Sequence, residues 1–285
     1  MDRGPFSFYD FLGYLFPGVI SAFFIYLYII IINSDYSLDY PKIIDSLSKT
    51  LVIFSDRFLI NIIVLLIFLY VLGHVVSFLS SCIIEYFSNC LFKYPSFFLL
   101  NRVKTSFMYY ICNYFCMTDA VIFIWRVVIA ILLFPISIVL LLIGHFIRIN
   151  EYMTRPFDEF TIHNIIIKQK ELLNKLNFQE DKLFSEHTDI HSIIMYHVYY
   201  NIEDRRRKAD NYIALYGFLR SLTLIFCCNT LFLIMIILIK IDINNSDILI
   251  TSLMFVLSNI SFMSFMKIYR RFTKEDYLCL LTCKI

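Results

Sequence analysis

The chain has 285 residues, of which 59% are hydrophobic, 18% aromatic and 17% charged, and its formal net charge at pH 7 is +2. Soluble domains average about 45–50% apolar and about 25% charged residues, and a globule of this length could not bury such an apolar excess. The composition excludes a secreted disulfide scaffold, a disordered chain, an ordinary soluble enzyme and a nucleic-acid binder recognisable by bulk charge, and it predicts an integral membrane protein.

Five apolar stretches are long enough to span a bilayer, because a helix needs about 20 apolar residues to cross the hydrocarbon. Every backbone polar group must be satisfied in lipid, so the stretches are predicted to be helices. The expected fold is all-α: a polytopic bundle of four or five spans with a small helical cytoplasmic domain. The predicted spans are residues 11–32, 58–79, 121–147, 218–240 and 248–266.

These spans divide the chain into four regions. Residues 1–147 form an N-terminal membrane region, 148–217 a cytoplasmic helical domain, 218–268 a C-terminal membrane hairpin and 269–285 a cytoplasmic tail. If all five stretches span, the Lys and Arg counts of the connecting segments predict an external N-terminus and a cytoplasmic C-terminus.

The third stretch leaves a second topology open, because it carries Arg126 near its start and Pro135 in its middle. If this stretch lies in the interface or re-enters, the chain has four spans and both termini are cytoplasmic. Arg126 and Arg220 are both expected to extend their side chains to the lipid headgroups.

Residues 148–217 are the one soluble-looking block. Apolar residues at helical spacing predict a helix within 162–176 and another over 190–200, and a third is expected to run unbroken from Glu203 into the fourth span. A block of about 65 residues buries little core alone. It is therefore expected to pack on its neighbours, on another copy or on the membrane surface.

No enzyme motif is present: the six glycines form neither a dinucleotide-binding fingerprint nor a P-loop, and the nucleophile-elbow and zinc-protease patterns are absent. We therefore expect no catalytic activity, no cofactor and no metal site. His187 and His191 lie four residues apart and could face a metal together, but a solvated start of a helix is the simpler interpretation.

Polar side chains inside the last two spans are the candidates to line a pore. They could instead bind neighbouring helices, since an amide in hydrocarbon needs a partner of either kind. The two spans join through a short acidic connection, whose aspartates would form a cation-attracting ring in a symmetric oligomer. The predicted pore-lining residues are Asn229, Thr230, Ser252, Ser258, Asn259, Asp242 and Asp247.

A basic run precedes the fourth span and is preceded by tyrosines. It predicts either anchoring to anionic lipid or a phosphate-binding patch for a nucleotide or oligonucleotide, with tyrosines that stack on bases. The candidate ligand-binding residues are Arg205, Arg206, Arg207, Lys208, Tyr199 and Tyr200.

Four short motifs resemble those of small multi-spanning membrane proteins of bacterial anti-phage systems. The first, FYDFLGYLFPG, covers Phe8 to Gly18 and leads into the first span. The others are Gly73-His74 with Ser77, Ser80 and Ser81; Tyr212, Leu215, Tyr216 and Gly217 with Arg220; and Tyr269-Arg270-Arg271-Phe272.

The resemblance implies an effector that opens or damages the bacterial inner membrane when a partner senses phage. The Hailong type pairs such a protein with a nucleotidyltransferase, which suits an oligonucleotide-gated channel. Since one chain cannot both pack its apolar faces and surround water, the expected channel is a homo-oligomer such as a tetramer. The alternative function is a membrane-anchored scaffold or sensor that recruits a soluble partner. Hydrogen bonds of Asn229 and Asn259 within one protomer would weaken the channel hypothesis.

Overall fold

A computed structural model describes residues 10–33, 58–100, 114–115, 119–143, 155–176, 190–201, 203–239 and 244–282. In these residues every regular element is a helix. Two are π-helical turns: Phe11–Leu15 leads into the first α-helix, and Ser81–Glu85 follows the second. The α-helices, in chain order, are α1 (Phe16–Asn33), α2 (Phe58–Ser80), α3 (Tyr86–Phe92), α4 (Pro95–Leu99), α5 (Ala120–Leu132), α6 (Phe134–Ile143), α7 (Glu159–Lys175), α8 (Ile190–Asn201), α9 (Glu203–Ile239) and α10 (Asn245–Thr282).

Four described helical segments are long and apolar enough to cross a membrane. They lie along α1, α2, α9 and α10 respectively, and large apolar side chains remain exposed along them, as expected of helices that face lipid. The all-α polytopic fold is therefore confirmed. The segments are Phe11–Ile32, Ile60–Leu99, Lys208–Ile239 and Asn245–Thr282.

The third predicted span is not a continuous helix. It is broken into α5 and α6, whose axes differ by 93°. Pro135, at the start of α6, explains the break: proline has no N–H to donate, and its ring clashes with the carbonyl of the residue four positions earlier. The described part of the third stretch is therefore bent, which agrees with the re-entrant alternative.

The direction of the helices decides between the two topologies. α1 and α9 run parallel, because Phe16 packs on Phe218 and Tyr28 packs on Phe232. Five spans would make the first and fourth antiparallel, so the parallel pair agrees with the four-span alternative. The Phe157 N–H donates to the Leu99 carbonyl at 3.1 Å, which shows that the chain returns to the end it left. We therefore describe α5 and α6 as a re-entrant pair within a four-span bundle.

Two glycines bring α1 and α2 into backbone contact. A Cβ at Gly18 would lie 1.9 Å from the carbonyl oxygen of Leu69, and one at Gly73 would lie 1.8 Å from that of Tyr14. No side chain fits at either position. This contact fixes the N-terminal half of the bundle, since helices approach so closely only through small residues.

The predicted extramembrane helices are present as α7 and α8, and α9 runs unbroken into its span as expected. Their apolar faces form one core with α4 and the last turns of α10, which we call the helical cap. Tail residues 269–282 thus continue a membrane helix and contribute to this core. The buried residues of the cap are Leu99, Leu100, Phe157, Ile165, Leu172, Ile194, Val198, Tyr277 and Leu280.

Charge is distributed unevenly between the two ends of the bundle. Described Lys and Arg residues collect beside the cap, and we call this the basic end. The opposite end, where Asn33, Ile239 and Asn245 lie, carries none among the residues that the structure describes. Those at the basic end include Lys93, Arg155, Lys168, Lys170, Lys175, Lys208, Arg271 and Lys274.

Candidate functional site

A partly buried ion pair joins α9 to the turn that follows α2, where the bundle meets the cap. Arg220, only 8% exposed, donates through Nη1 to the carboxylate of Glu85 in the second π-helical turn. Its guanidinium also lies 5.7 Å from the ring centroid of Tyr216. The predicted extension of Arg220 to lipid headgroups is wrong, because a carboxylate inside the chain is its partner.

Serines of α2 and α9 complete this site. Arg220 Nε donates to Ser80 Oγ at 3.2 Å, and Ser80 Oγ lies 3.3 Å from Ser221 Oγ. Ser81 Oγ donates to Glu85 Oε2 at 3.3 Å, so both charges also have neutral partners. We call these five residues the junction cluster. Ionisable groups at membrane depth are costly and mark functional sites by default.

Another buried arginine holds the re-entrant pair in place. Arg126 of α5 donates through Nη1 to the Tyr114 carbonyl at 3.0 Å and through Nε to the Tyr86 hydroxyl at 3.3 Å. Its own carbonyl accepts a hydrogen bond from the Tyr114 hydroxyl at 3.1 Å. The expectation that Arg126 reaches the headgroups is therefore also wrong.

Asn259 stabilises the break in the re-entrant pair. Its side-chain amide donates to the Pro135 carbonyl at 3.2 Å and to the Phe255 carbonyl at 2.8 Å. Ser137 Oγ in turn donates to the Ala130 carbonyl across the bend at 3.0 Å. Because a broken helix leaves carbonyls without intrahelical donors, these side chains lower the cost of the bend in an apolar environment.

Three other predicted pore-lining residues lie in the interior of the protomer. Asn229, Thr230 and Ser258 are buried, and each donates to a carbonyl of its own helix: Ile225, Phe226 and Phe255 respectively. None of these side chains faces outward from the protomer.

The remaining pore-lining candidates divide differently. Ser252 is exposed on α10 and donates to the Leu249 carbonyl at 2.7 Å. Asp247 lies in the first turn of α10 and is buried. Asp242 lies outside the described residues. Ser252 is therefore the described candidate that could meet water or another copy.

The predicted ligand patch lies at the cap end of α9. Lys208 and Tyr200 are exposed, whereas Tyr199 is half-buried and donates through its hydroxyl to Asp210 Oδ1 at 3.2 Å. The side chains of Arg205, Arg206 and Arg207 lie outside the described residues. Ligand binding at this patch stays a prediction.

No metal-binding group emerges from the part of the chain that the structure describes, in that no three His, Cys, Asp or Glu side chains converge there. His191 packs its ring 5.6 Å from that of Tyr277, and His187 lies outside the described residues. Comparison of the chain with protein-family models, curated proteins and solved structures found no match.

Sequence reasoning missed the acidic half of the junction cluster, although a signal was present. Glu85 is the one Asp or Glu between residues 60 and 118, and Arg220 is the one Lys or Arg between 209 and 239. Each lies near the end of an apolar run. A lone acid and a lone base at matching ends of two membrane helices predict an ion pair.

Proposed function

We propose that the protein is an oligomeric membrane channel or pore, gated through its helical cap, that serves as an effector of bacterial anti-phage immunity. The observation that carries this proposal is the continuity of α9 and α10. Each is a single helix, of 37 and 38 residues, with one part among the membrane helices. The end of α10 belongs to the cap core, and the start of α9 contacts α8 of the cap through the Tyr199–Asp210 hydrogen bond. A helix of that length extends about 55 Å, whereas the hydrocarbon is about 30 Å thick.

Because of this continuity, a movement of the cap would be passed on to the membrane region. A ligand or partner that shifts the cap would move α9 and α10 along or across the bilayer, because an unbroken helix transmits displacement. The proposed ligand is a nucleotide or oligonucleotide bound near Lys208 and Tyr200, supplied by a soluble defence partner such as a nucleotidyltransferase. The effector function and this partner rest on the sequence resemblance.

The proposed location is the bacterial inner membrane, with the basic end in the cytoplasm. Cytoplasmic segments carry an excess of Lys and Arg, and the cap side of the bundle has this excess. The start of the first span and the end of α10 then lie on the cytoplasmic side, where a cytoplasmic ligand can reach the cap.

The conducting pathway would be formed between copies by the exposed stripe of α10. Asn229, Thr230 and Ser258 face the interior of the protomer, so they are poorly placed to line it. A wall built from this stripe is largely apolar, and apolar constrictions gate by dewetting. The stripe consists of Leu249, Ser252, Leu253, Val256 and Ile260.

Ion flux into liposomes tests this proposal. Liposomes that contain the purified protein are expected to show ion flux when nucleoside triphosphates or short oligonucleotides are added. In a chain without its native cysteines, Ser252→Cys is expected to make this flux sensitive to a charged thiol reagent. Met235→Cys is the matched control, because Met235 is exposed on α9 outside the stripe. Absence of flux under every condition would contradict the proposal.

A membrane-anchored scaffold or sensor is the second candidate, and one observation favours it. The amides of Asn229 and Asn259 are both hydrogen-bonded within one protomer, as a non-conducting bundle would require. The scaffold predicts that the cap captures a soluble partner while vesicles containing the protein stay impermeable, so the same flux measurement separates the two functions.

A further inference from the structure

We propose that the Glu85–Arg220 ion pair is a latch that holds α9 against α2 in the closed state, and that Gly217 is the point at which α9 bends when the latch opens. This inference rests on the proposed gated channel and specifies how its gate is restrained. It begins from two residues one turn apart on the same helix.

Close packing does not require a glycine at position 217. A Cβ at this position would meet no atom within 4 Å, in contrast to the glycines of α1 and α2. Glycine in a helix interior is less favourable than alanine, because the chain loses more conformational freedom on folding. A glycine that space does not demand, near the middle of a 37-residue helix, makes that turn the easiest place to bend.

Near this glycine, α9 gains a second neighbour. On the cap side, Tyr212 donates through its hydroxyl to Glu275 Oε1 at 2.5 Å, and Tyr216 stacks on Tyr269 at 5.7 Å, so α9 is tied to α10. On the membrane side, Arg220 and Ser221 are tied to α2. On the membrane side of Gly217, α9 therefore adds contacts with α2, while it stays packed against α10 through Leu224 and Cys227.

The neighbouring helices are locally altered at the same level. π-Helical turns occur at Phe11–Leu15 and Ser81–Glu85, and both contact α9. Such turns are rare and concentrate at functional sites. Glu85 closes the second turn, so unwinding or rewinding that turn would directly displace the carboxylate that binds Arg220.

The junction cluster also allows the latch to open reversibly. Arg220 Nη2 lies 3.4 Å from the Ser77 carbonyl and Nε donates to Ser80, while Ser81 donates to Glu85. Each charge therefore keeps a polar partner if the pair separates, which avoids an isolated charge in the apolar core. A switch needs two such states of similar free energy.

Disulfide formation tests the latch without relying on flux. Ser80→Cys with Ser221→Cys, in a chain without its native cysteines, places two thiols where oxygens now lie 3.3 Å apart. Adding Glu85→Gln is expected to slow the cross-linking rate at least about tenfold, since the closed state becomes less populated. Glu171→Gln is the matched control, because it neutralises an exposed ion pair with Lys168.

Flux then tests the coupling. Glu85→Gln is expected to raise ligand-independent flux. The reciprocal exchange, Glu85→Arg with Arg220→Glu, is expected to restore the closed state. Gly217→Ala is expected to lower ligand-activated flux without lowering stability. If Glu85→Gln does not fold, Ser81→Ala provides a milder perturbation. Cross-linking rates that stay unchanged in both Glu85→Gln and Ser81→Ala would overturn the proposal. Altered cross-linking without any flux would retain the latch and reject the channel.

Discussion

The N-terminal and C-terminal helix pairs of the bundle are held together in different ways. α1 and α2 meet backbone to backbone at Gly18 and Gly73, where a single added carbon has no room. α9 and α10 meet through side chains, with Tyr216 packed against Phe265 and Tyr269 at ring distances of 6.3 and 5.7 Å. The first contact admits one geometry, while rings can slide over one another, so the second pair is the better candidate for movement.

The largest expected effect comes from adding volume between α1 and α2. Gly18→Ala or Gly73→Ala forces the helices apart, because the new Cβ would overlap a carbonyl oxygen, and we expect a loss of about 3 kcal/mol of stability. Thermal unfolding in detergent measures it. Gly217→Ala is the control and should not destabilise the protein; equal losses at all three glycines would refute the contrast between the pairs.

The next effect comes from removing the cation that connects the two pairs. Arg220→Gln leaves the Glu85 carboxylate with only serine partners, and we expect a loss of about 2 kcal/mol, because a half-buried charge loses its counterion. The same unfolding measurement applies. Arg271→Gln offers a matched control, since Arg271 is exposed and its bond to Glu275 is a surface pair of small worth. Similar losses for both arginines would argue against a buried site.

Two asparagines provide a smaller and sharper comparison. Asn259→Ala removes a hydrogen bond to the Pro135 carbonyl of another element and is expected to cost about 1 kcal/mol, within the range measured for polar contacts in membrane bundles. Asn229→Ala removes a bond within one helix and should cost less. A larger loss at Asn229 would show that it has a partner outside its own helix, such as another copy of the chain.

The smallest effect is expected where only a hydroxyl changes. Tyr216→Phe keeps the ring that stacks on Tyr269, so stability should change by less than about 0.5 kcal/mol, while Tyr216→Leu should lose about 1 kcal/mol of aromatic contact. Unfolding temperatures of the two variants measure the difference. A large effect of Tyr216→Phe would mean that the hydroxyl, rather than the ring, joins the two helices.

The sequence predicts the membrane fold well because length and hydrophobicity alone determine whether a helix can cross lipid. It also predicts that α9 runs unbroken from Glu203, since no proline interrupts it. The sequence leaves two topologies open at one place, where Pro135 breaks a stretch that is largely apolar. Hydropathy cannot register a bend of 93°, because the bent and the straight helix have the same composition.

The site was less predictable, since polar residues in a span have two possible destinations. Asn259 satisfies a bend in a distant segment, and Ser258, its neighbour, bonds its own helix. Helical spacing places such residues on a face but does not say whether that face meets a helix, lipid or water. Glu85 was missed because its partner, Arg220, lies 135 positions away in the chain.

The side of the membrane on which α4 and α7 lie tests the four-span arrangement most directly. In a chain without its native cysteines, Lys93→Cys and Glu159→Cys both place a thiol at an exposed position, and an impermeant maleimide reports its side in intact cells and in inverted vesicles. The re-entrant pair predicts that both thiols are protected in intact cells and labelled in inverted vesicles. Labelling of the two thiols from opposite sides would establish a fifth span and contradict this account.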